Sequence, residues 1–396
     1  MGIRVISGLD HLKMDKGLAQ KFKGVVGYLC HGASVDSDIK HGVFAFKEIF
    51  GSRFNRLFSP QHGFVGDVQD NMVESSHFMH PYFNVKVYSL YSETRIPTAE
   101  MLDGLDHIFV DLQDVGTRIY TYIYTMTLLM EACANKDIDV VILDRPNPIN
   151  GEIIEGNILD MNYASFVGRH PLPVRHGMTM GEIAQMALKF WNIRCSLQVI
   201  PMQGWERWMD FEDTKLPWVM PSPNLPTIEA AFTFVGTVLY EGTNISEGRG
   251  TTRSLEIIGH PGIEPYGLQE ILEGKFKSYG LHGFTLRPVI FMPTFQKHAG
   301  KPCGGYQIHV TDRKKFRPWR LCQVLCQEFY HHLGPQFQWK QPPYEYEYVK
   351  MPVDLINGTD KLRSWVEKNG DFGFLDDLEK ENQAEFLEKR NEVKIY

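Results

Sequence analysis

Short apolar segments alternate with helical patterns through the first half of the chain, and this alternation constrains the fold more than any other feature. The apolar segments, each suited to one strand, lie at 24–30, 54–60, 85–91, 106–113 and 139–145. Helical patterns lie between them at 40–50, 98–105 and 120–137. Apolar strands joined by helices are typical of a parallel sheet that is covered on both faces. The sequence therefore predicts an α/β fold with a largely parallel sheet.

The pattern changes in the second half of the chain. Four prolines among residues 216–227 indicate a rigid connector. Beyond it the sequence mixes the two kinds of pattern, with strand-like segments at 230–239, 284–293 and 304–312 and helical patterns at 265–276, 318–333 and 375–396. We therefore predict two domains, an α/β domain at 1–227 and a smaller α+β domain at 228–396.

Charge and hydropathy narrow the range of partners. The chain carries 41 Lys and Arg against 48 Asp and Glu, a formal net charge of −7, and a negative field disfavours nucleic acid. No apolar run approaches the roughly 18 residues of a membrane-spanning helix, and residues 1–17 lack the apolar core of a secretory signal. We expect a cytoplasmic protein as numbered, or a periplasmic or secreted one if a signal has been removed.

Polar stretches follow the predicted strands directly. Because ligands of parallel α/β sheets bind beyond the carboxyl ends of the strands, we expect these stretches to converge on one pocket; they lie at 30–34, 59–67, 91–95, 111–118 and 143–148.

Gln61 and His62 follow the strand at 54–60 in "SPQHG". The Gln61 amide can hydrogen-bond a sugar hydroxyl or water, but it has no proton to exchange near neutral pH and cannot replace a carboxyl group as a general acid. The alternative is that both side chains only connect neighbouring loops.

Two further loops offer carboxylates beside arginines. Glu93 follows the strand at 85–91 and is a candidate acid, unless it forms a salt bridge within its loop with Arg95. Asp114 and Arg118 either contact a ligand or act structurally, with Asp114 capping the next helix and Arg118 pairing with it.

Three candidate ligand contacts lie further along the first half. Asn147 stands between the two prolines of "DRPNP". Arg175 and His176 precede Thr179, which forms a capping box with Glu182. The positive end of the predicted helix would suit an anion.

The segment "YEGTNISEGRGTTR" at 240–253 gathers acids, bases and hydroxyls around three glycines. Arginine side chains bind carboxylates in a bidentate manner, so the segment either contacts a polyhydroxylated or carboxylate-bearing ligand or forms a solvated loop that caps a helix at 251–256. Its candidate ligand contacts are Glu241, Asn244, Glu247, Arg249 and Arg253.

No nucleotide-binding motif follows the first predicted strand: both G-x-G-x-x-G and G-x-x-x-x-G-K-[ST] are missing there. The six cysteines show no C-x-x-C or zinc-site spacing. We expect no cofactor and no metal.

Taken together, these motifs resemble the exo-β-N-acetylmuramidases of the NamZ type. The resemblance extends from about Val5 to the C-terminus, and the segments that carry it include "SPQHGFVGD", "VYSLYSETRIPT", "DLQDVGTRIYTYIYTM", "VILDRPNPINGEIIEG", "PSPNLPT" and "YEGTNISEGRGTTR".

This resemblance implies a Rossmann-like N-terminal domain, a smaller C-terminal domain and a cleft between them. It also implies hydrolysis of terminal non-reducing N-acetylmuramic acid from peptidoglycan fragments, so the partner is a peptidoglycan-derived sugar or muropeptide. Arg249 or Arg253 would pair with the lactyl carboxylate of that sugar, and Asn224 of "PSPNLPT" would contact it.

Gln61 departs from the family pattern, because a glutamate is expected in S-P-E-H-G. If the chain is active, another carboxylate must act, and Glu93, Asp114 and Glu247 are the candidates for catalysis around Gln61. A catalytically silent muropeptide binder is the rival hypothesis. A cysteine-dependent acyl hydrolase that uses Cys30 is a third.

Overall fold

The apolar segments of the first half form one seven-stranded sheet in the computed structural model, which describes residues 4–66, 69, 74–134 and 136–396. In chain order the strands are β1 Val26–Cys30, β2 Phe54–Ser59, β3 Phe78–Met79, β4 Lys86–Ser89, β5 His107–Asp111, β6 Asp139–Leu143, β7 Glu155–Ile158, β8 Pro173–Arg175, β9 Ser196–Ile200, β10 Ile257–His260, β11 Phe284–Phe291 and β12 Cys303–Val310. The large sheet has the order β3-β4-β2-β1-β5-β6-β9. Only the edge pair β3–β4 is antiparallel. This confirms the predicted Rossmann-like, largely parallel sheet.

Helices cover the sheet and fill the second half of the chain. They are α1 Gly8–Met14, α2 Lys16–Ala19, α3 Gly42–Phe50, α4 Ala99–Leu102, α5 Tyr122–Cys133, α6 Met180–Phe190, α7 Ile228–Thr237, α8 Pro265–Ser278, α9 Pro318–Leu333, α10 Pro352–Asn357, α11 Lys361–Glu367, α12 Gly373–Lys380 and α13 Gln383–Asn391. The predicted capping box is present at the start of α6, where Thr179 and Glu182 bond reciprocally. No helix among the described residues is long and apolar enough to cross a membrane.

The second half is a smaller α+β region, as predicted, built on an antiparallel sheet of order β10-β12-β11. Two predicted elements of this region differ from the structure. Residues 230–239 do not form a strand but belong to α7 and the 3₁₀ turn Val238–Gly242, and the helical pattern at 375–396 is divided into α12 and α13. The Thr227 side chain caps α7 by accepting from the Ala230 N–H. Because α7 is buried from Ala230 onwards, its sequence is apolar on every side, and a buried helix of this kind has no distinguishing period.

Alternate residues of the central strands enter two different cores. Tyr28 and Phe109 face α1 and α3, whereas Leu29 and Val110 face α5 and α6. The second core does not stop at residue 227 but continues through α7 and α9 into the antiparallel sheet. The domain boundary at 227 lies immediately before α7 and stays a prediction.

Candidate active site

A crevice lies beyond the carboxyl end of β1, where the sheet continues to β2 on one side and to β5 on the other. Polar side chains fill this crevice. The Gln113 N–H donates to His31 Nε2 at 3.1 Å, so the His31 proton lies on Nδ1, which donates to the Pro221 carbonyl at 3.2 Å. Burial and the nearby Arg145 charge lower the pKa of His31 to about 3. His31 is therefore a neutral connector between the sheet and the 216–227 segment.

A buried ion pair lies beside His31. Arg145 Nη2 donates to Asp111 Oδ2 at 3.0 Å, and the Tyr28 hydroxyl donates to the same oxygen at 2.5 Å. The neighbouring carboxylate, Asp144, is not part of this pair and accepts from the Gly181 N–H at the start of α6. The usual ligand position of a doubly wound sheet is thus occupied by the protein itself.

A narrow pocket of about 40 Å³ lies next to this crevice, beside the ring of Tyr122, which packs edge-on against His31. It is formed by the loop after β2, the start of α5, the 222–225 connector, the end of α7 and two turns of the second half. Its polar lining consists of Gln61, His62, Tyr120, Thr121, Tyr122, Ser222, Asn224, Glu241, Arg249, Tyr344 and Glu345. Five sequence-predicted residues are therefore brought together here: Gln61, His62, Asn224, Glu241 and Arg249.

Buried charges form the wall on the side of the second half. Arg249 contacts Glu241 Oε1 through Nη2 and donates to Glu247 Oε1 at 3.0 Å through Nε. Lys297 lies 2.7 Å from the other oxygen of Glu247. Burial alone would raise the pKa of Glu247, but the charges of Lys297 and Arg249 outweigh burial and hold it below its ordinary value. The Tyr344 hydroxyl donates to Glu241 at 2.7 Å, so this wall is an ordered network.

Glu345 and Tyr344 are pocket residues that the sequence prediction missed. The Tyr91 hydroxyl donates to Glu345 Oε2 at 3.0 Å, which connects the loop after β4 to the second half. The signal was the cluster of acids and tyrosines in "PPYEYEY" at 342–348, but neither residue lies near the end of a predicted strand.

A second and larger cavity, of about 520 Å³, lies on the other side of Glu241 and Tyr344, which line both spaces. Besides Glu241, two further sequence-predicted residues line it, Asn244 and Glu247, together with Trp339. The Asn244 side chain donates to the Gln336 carbonyl at 2.8 Å and so fixes one edge of the cavity.

Other predicted site residues lie in the interior, outside the pocket. Asp114 accepts from the Gly116 N–H at 2.7 Å and lies 3.2 Å from His176 Nε2. Asn147 donates to the Met178 carbonyl. Arg175 donates to the Ile149 carbonyl.

The structural alternative for Arg118 was an ion pair with Asp114, and this pair does not form. The Arg118 guanidinium donates to four backbone carbonyls at 2.8 to 3.3 Å, those of Asn157, Leu172, Ile356 and Asn357. Burial lowers the pKa of both Arg118 and Arg175 to about 10. Four backbone carbonyls thus hold the Arg118 guanidinium inside the protein, and one holds that of Arg175.

Three predicted residues lie near the surface. Glu93 is exposed. The Arg95 guanidinium lies 3.6 Å from the centre of the Tyr346 ring and 4.7 Å from that of Tyr91. Arg253 is half exposed and lies 3.4 Å from Glu256. Asp67 of the "SPQHGFVGD" motif lies outside the described residues.

Residues 240–250 are largely buried and no helix forms at 251–256, so the alternative of a solvated loop that caps a helix there is wrong. Gly250 has a φ of +80°, and a Cβ atom there would lie 2.8 Å from the backbone nitrogen atoms of Thr294 and Phe295. The Thr251 hydroxyl donates to the Gly248 carbonyl. Its glycines therefore permit close packing within the protein, and its hydroxyls stabilise the segment itself.

Fold and site together define an α/β protein with a buried, carboxylate-lined pocket beside the carboxyl edge of a parallel sheet. In the part of the chain described by the structure, no three His, Cys, Asp or Glu side chains are grouped to hold a metal ion. The chain belongs to the exo-β-N-acetylmuramidase NamZ family: the N-terminal family model matches residues 26–229 and the C-terminal model residues 232–396.

Individual relatives agree with this assignment. The chain is 47% identical over 313 residues to a peptidoglycan β-N-acetylmuramidase NamZ of Bacillus subtilis. The aligned region covers 79% of this chain and 74% of that relative. Two crystal structures of DUF1343 family proteins from Bacteroides fragilis share the fold at 27% identity each. The first has a TM-score of 0.86 and covers 100% of both chains. The second has a TM-score of 0.73 and covers 100% of this chain and 99% of the other.

Proposed function

We propose that this protein is a glycoside hydrolase that releases terminal N-acetylmuramic acid from the non-reducing ends of peptidoglycan fragments. The observation that carries the proposal is the pocket that joins Gln61, Glu241, Arg249 and Glu345 in a member of the NamZ family. The 47% identity to a Bacillus subtilis protein named as a peptidoglycan β-N-acetylmuramidase supports the same substrate class.

The pocket has the groups that such a sugar requires. Asn224 and the tyrosines offer hydrogen bonds to hydroxyl and acetamido groups, while aromatic rings provide apolar surface for the sugar ring. Of the two arginines predicted to bind the lactyl carboxylate, Arg249 lines the pocket, whereas Arg253 does not. Arg249 is therefore our candidate for that contact.

The test compares two chromogenic substrates, a 4-nitrophenyl β-N-acetylmuraminide and the matching β-N-acetylglucosaminide. They differ only in the lactyl ether, so hydrolysis of the first and not the second would demonstrate the proposed specificity. The Arg253→Gln variant, altered outside the pocket, should behave as the wild type. Failure to hydrolyse either substrate between pH 4 and 9 would refute the proposal.

The rival function, a silent muropeptide binder, rests on the amide at Gln61 in place of a carboxyl group. Titration calorimetry with N-acetylmuramic acid separates the two hypotheses, because binding without turnover would favour the rival.

A further inference from the structure

Glu345 lies in a tight turn that holds its carboxyl group inside the pocket. Tyr344 and Glu347 close this turn through two backbone hydrogen bonds of 2.9 Å each. Glu345 has a left-handed backbone with φ of 46°, which is uncommon for a residue other than glycine. It is 5% exposed and lines the same pocket as Gln61.

Gln61 and Tyr91 orient this carboxyl group. Gln61 Oε1 accepts from the Thr121 hydroxyl at 2.8 Å, which leaves the amide nitrogen of Gln61 to donate in its hydrogen bond with Glu345. Tyr91 donates to Glu345 Oε2 at 3.0 Å. An amide at position 61 can therefore position a neighbouring carboxyl group, although it cannot transfer a proton itself.

The surroundings of Glu345 favour its protonated form. Burial raises the pKa of Glu345 to about 7, and the Glu241 charge acts in the same direction. Hydrogen bonds from Tyr91 and Gln61 and the Arg95 charge act in the opposite direction. The charged and titratable groups that adjoin Glu345 or line its pocket are Tyr91, Arg95, Glu241, Tyr344, Tyr346, His62, Arg249, Tyr120 and Tyr122.

The other carboxylates are poorly suited to proton donation. Glu241 and Glu247 both contact the Arg249 guanidinium, and Lys297 also neutralises Glu247. Glu93 is exposed, and Asp114 is held by Gly116 away from the pocket. Paired titratable groups whose surroundings differ in this way commonly divide the acid and charge-stabilising roles in glycosidases.

We propose that Glu345 is the general acid of the reaction, an inference that rests on the proposed glycosidase function. Its carboxyl proton passes to the glycosidic oxygen as the bond from that oxygen to the anomeric carbon breaks. A water molecule supplies the hydroxyl group that the anomeric carbon gains, and the remaining proton of that water restores the protonated Glu345. Glu241, which pairs with Arg249 in the same pocket, is placed to stabilise the positive charge that develops on the sugar.

The experiment measures Glu345→Gln against two leaving groups, because only a poor leaving group needs a proton. We expect kcat/KM for the β-1,4-linked disaccharide of N-acetylmuramic acid and N-acetylglucosamine to fall by roughly 10²- to 10⁴-fold. The 2,4-dinitrophenyl glycoside, whose leaving group departs as an anion, should lose far less, and the alkaline limb of the pH profile near pH 7 should disappear. Glu347→Gln, in the same turn, is the matched control and should retain wild-type kinetics.

Equal losses on both substrates, or a pH limb that survives in Glu345→Gln, would overturn the assignment. If that variant does not fold, Tyr91→Phe provides the second test. The Tyr91 hydrogen bond lowers the pKa of Glu345, so its removal should move the alkaline limb to higher pH, and an unmoved limb would count against Glu345. An inactive wild type would instead refute the glycosidase function and, with it, the acid role.

Discussion

Replacing Arg249 by methionine removes the cation between two buried carboxylates. The side chains of Arg249, Glu241 and Glu247 are each at most 8% exposed. Lys297 still neutralises Glu247 in the variant, but Glu241 retains only the Tyr344 hydroxyl among the contacts described here. Removing one partner of a buried ion pair costs about 3–5 kcal/mol, because the remaining charge is left without compensation.

This free energy converts into a measurable shift of Tm. With an unfolding entropy of about 2.1 cal/mol/K per residue, each ~0.8 kcal/mol lost from the free energy of unfolding lowers the Tm of this chain by about 1 °C. We therefore expect the Tm of Arg249→Met to decrease by about 4–6 °C. The matched control is Arg253→Met, which removes a half-exposed arginine whose ion pair with Glu256 spans 3.4 Å. An exposed pair contributes about 0–1 kcal/mol, so the control should shift Tm by no more than about 1 °C.

The pH dependence provides an independent check. The folded state holds the pKa of Glu247 below its ordinary 4.5 with the help of Arg249. That stabilisation is present above pH 4.5 and is lost as the pH falls through the lowered value. The deficit of Arg249→Met should therefore be full at pH 8 and shrink below about pH 4.5. Scanning calorimetry on both variants decides: equal Tm values for Arg249→Met and Arg253→Met would refute the buried-charge argument.

Three further predictions concern other parts of the molecule. Gln61→Glu places a second carboxyl group against Glu345, and because like charges disfavour joint ionisation, the alkaline limb of the activity profile should rise by about one pH unit or more; an unchanged profile would contradict their contact. Gly236→Ala in α7 puts a Cβ atom 2.1 Å from a carbonyl oxygen of α9, so it should lower the free energy of unfolding by about 1–3 kcal/mol, measured by thermal denaturation. The control is Gly274→Ala in α8, where a Cβ atom would meet nothing within 4 Å. That variant should be neutral or stabilising. Cys30 is fully buried in β1, and burial raises the pKa of its thiol, so native protein should resist iodoacetamide there by mass spectrometry and Cys30→Ser should keep its activity; rapid alkylation would revive the cysteine hypothesis.

The large sheet could be predicted because its strands are apolar throughout and its helices are periodic. The same reasoning failed at α7, since a helix buried on all sides has no polar face to reveal its period. It also missed β10, whose four residues follow a polar segment that was expected to begin a helix. Local patterns were therefore sufficient wherever an element has one buried and one exposed side, or lies in a regular succession of strands and helices.

The site was predictable to the extent that its residues follow strands. Gln61 follows β2 and was found for that reason, and Glu241 and Arg249 were found in their cluster of polar residues. Arg118 and Arg175 have the same residue type as a ligand-binding arginine, and only the tertiary structure shows that both are buried and donate to backbone carbonyls. Glu345 is close to Gln61 in space but 284 positions away in the sequence, a pairing that no local pattern encodes.

The apolar core that crosses residue 227 has a mechanical consequence. Two domains joined by a thin hinge can move apart to admit a ligand. Here such a movement would expose to water the apolar core that α5 and α6 share with α7 and α9. Access to the pocket must then come from small movements of side chains and turns, such as the turn that carries Glu345. For the same reason, we expect neither half of the chain to fold alone, because each half would expose part of the shared apolar core to water.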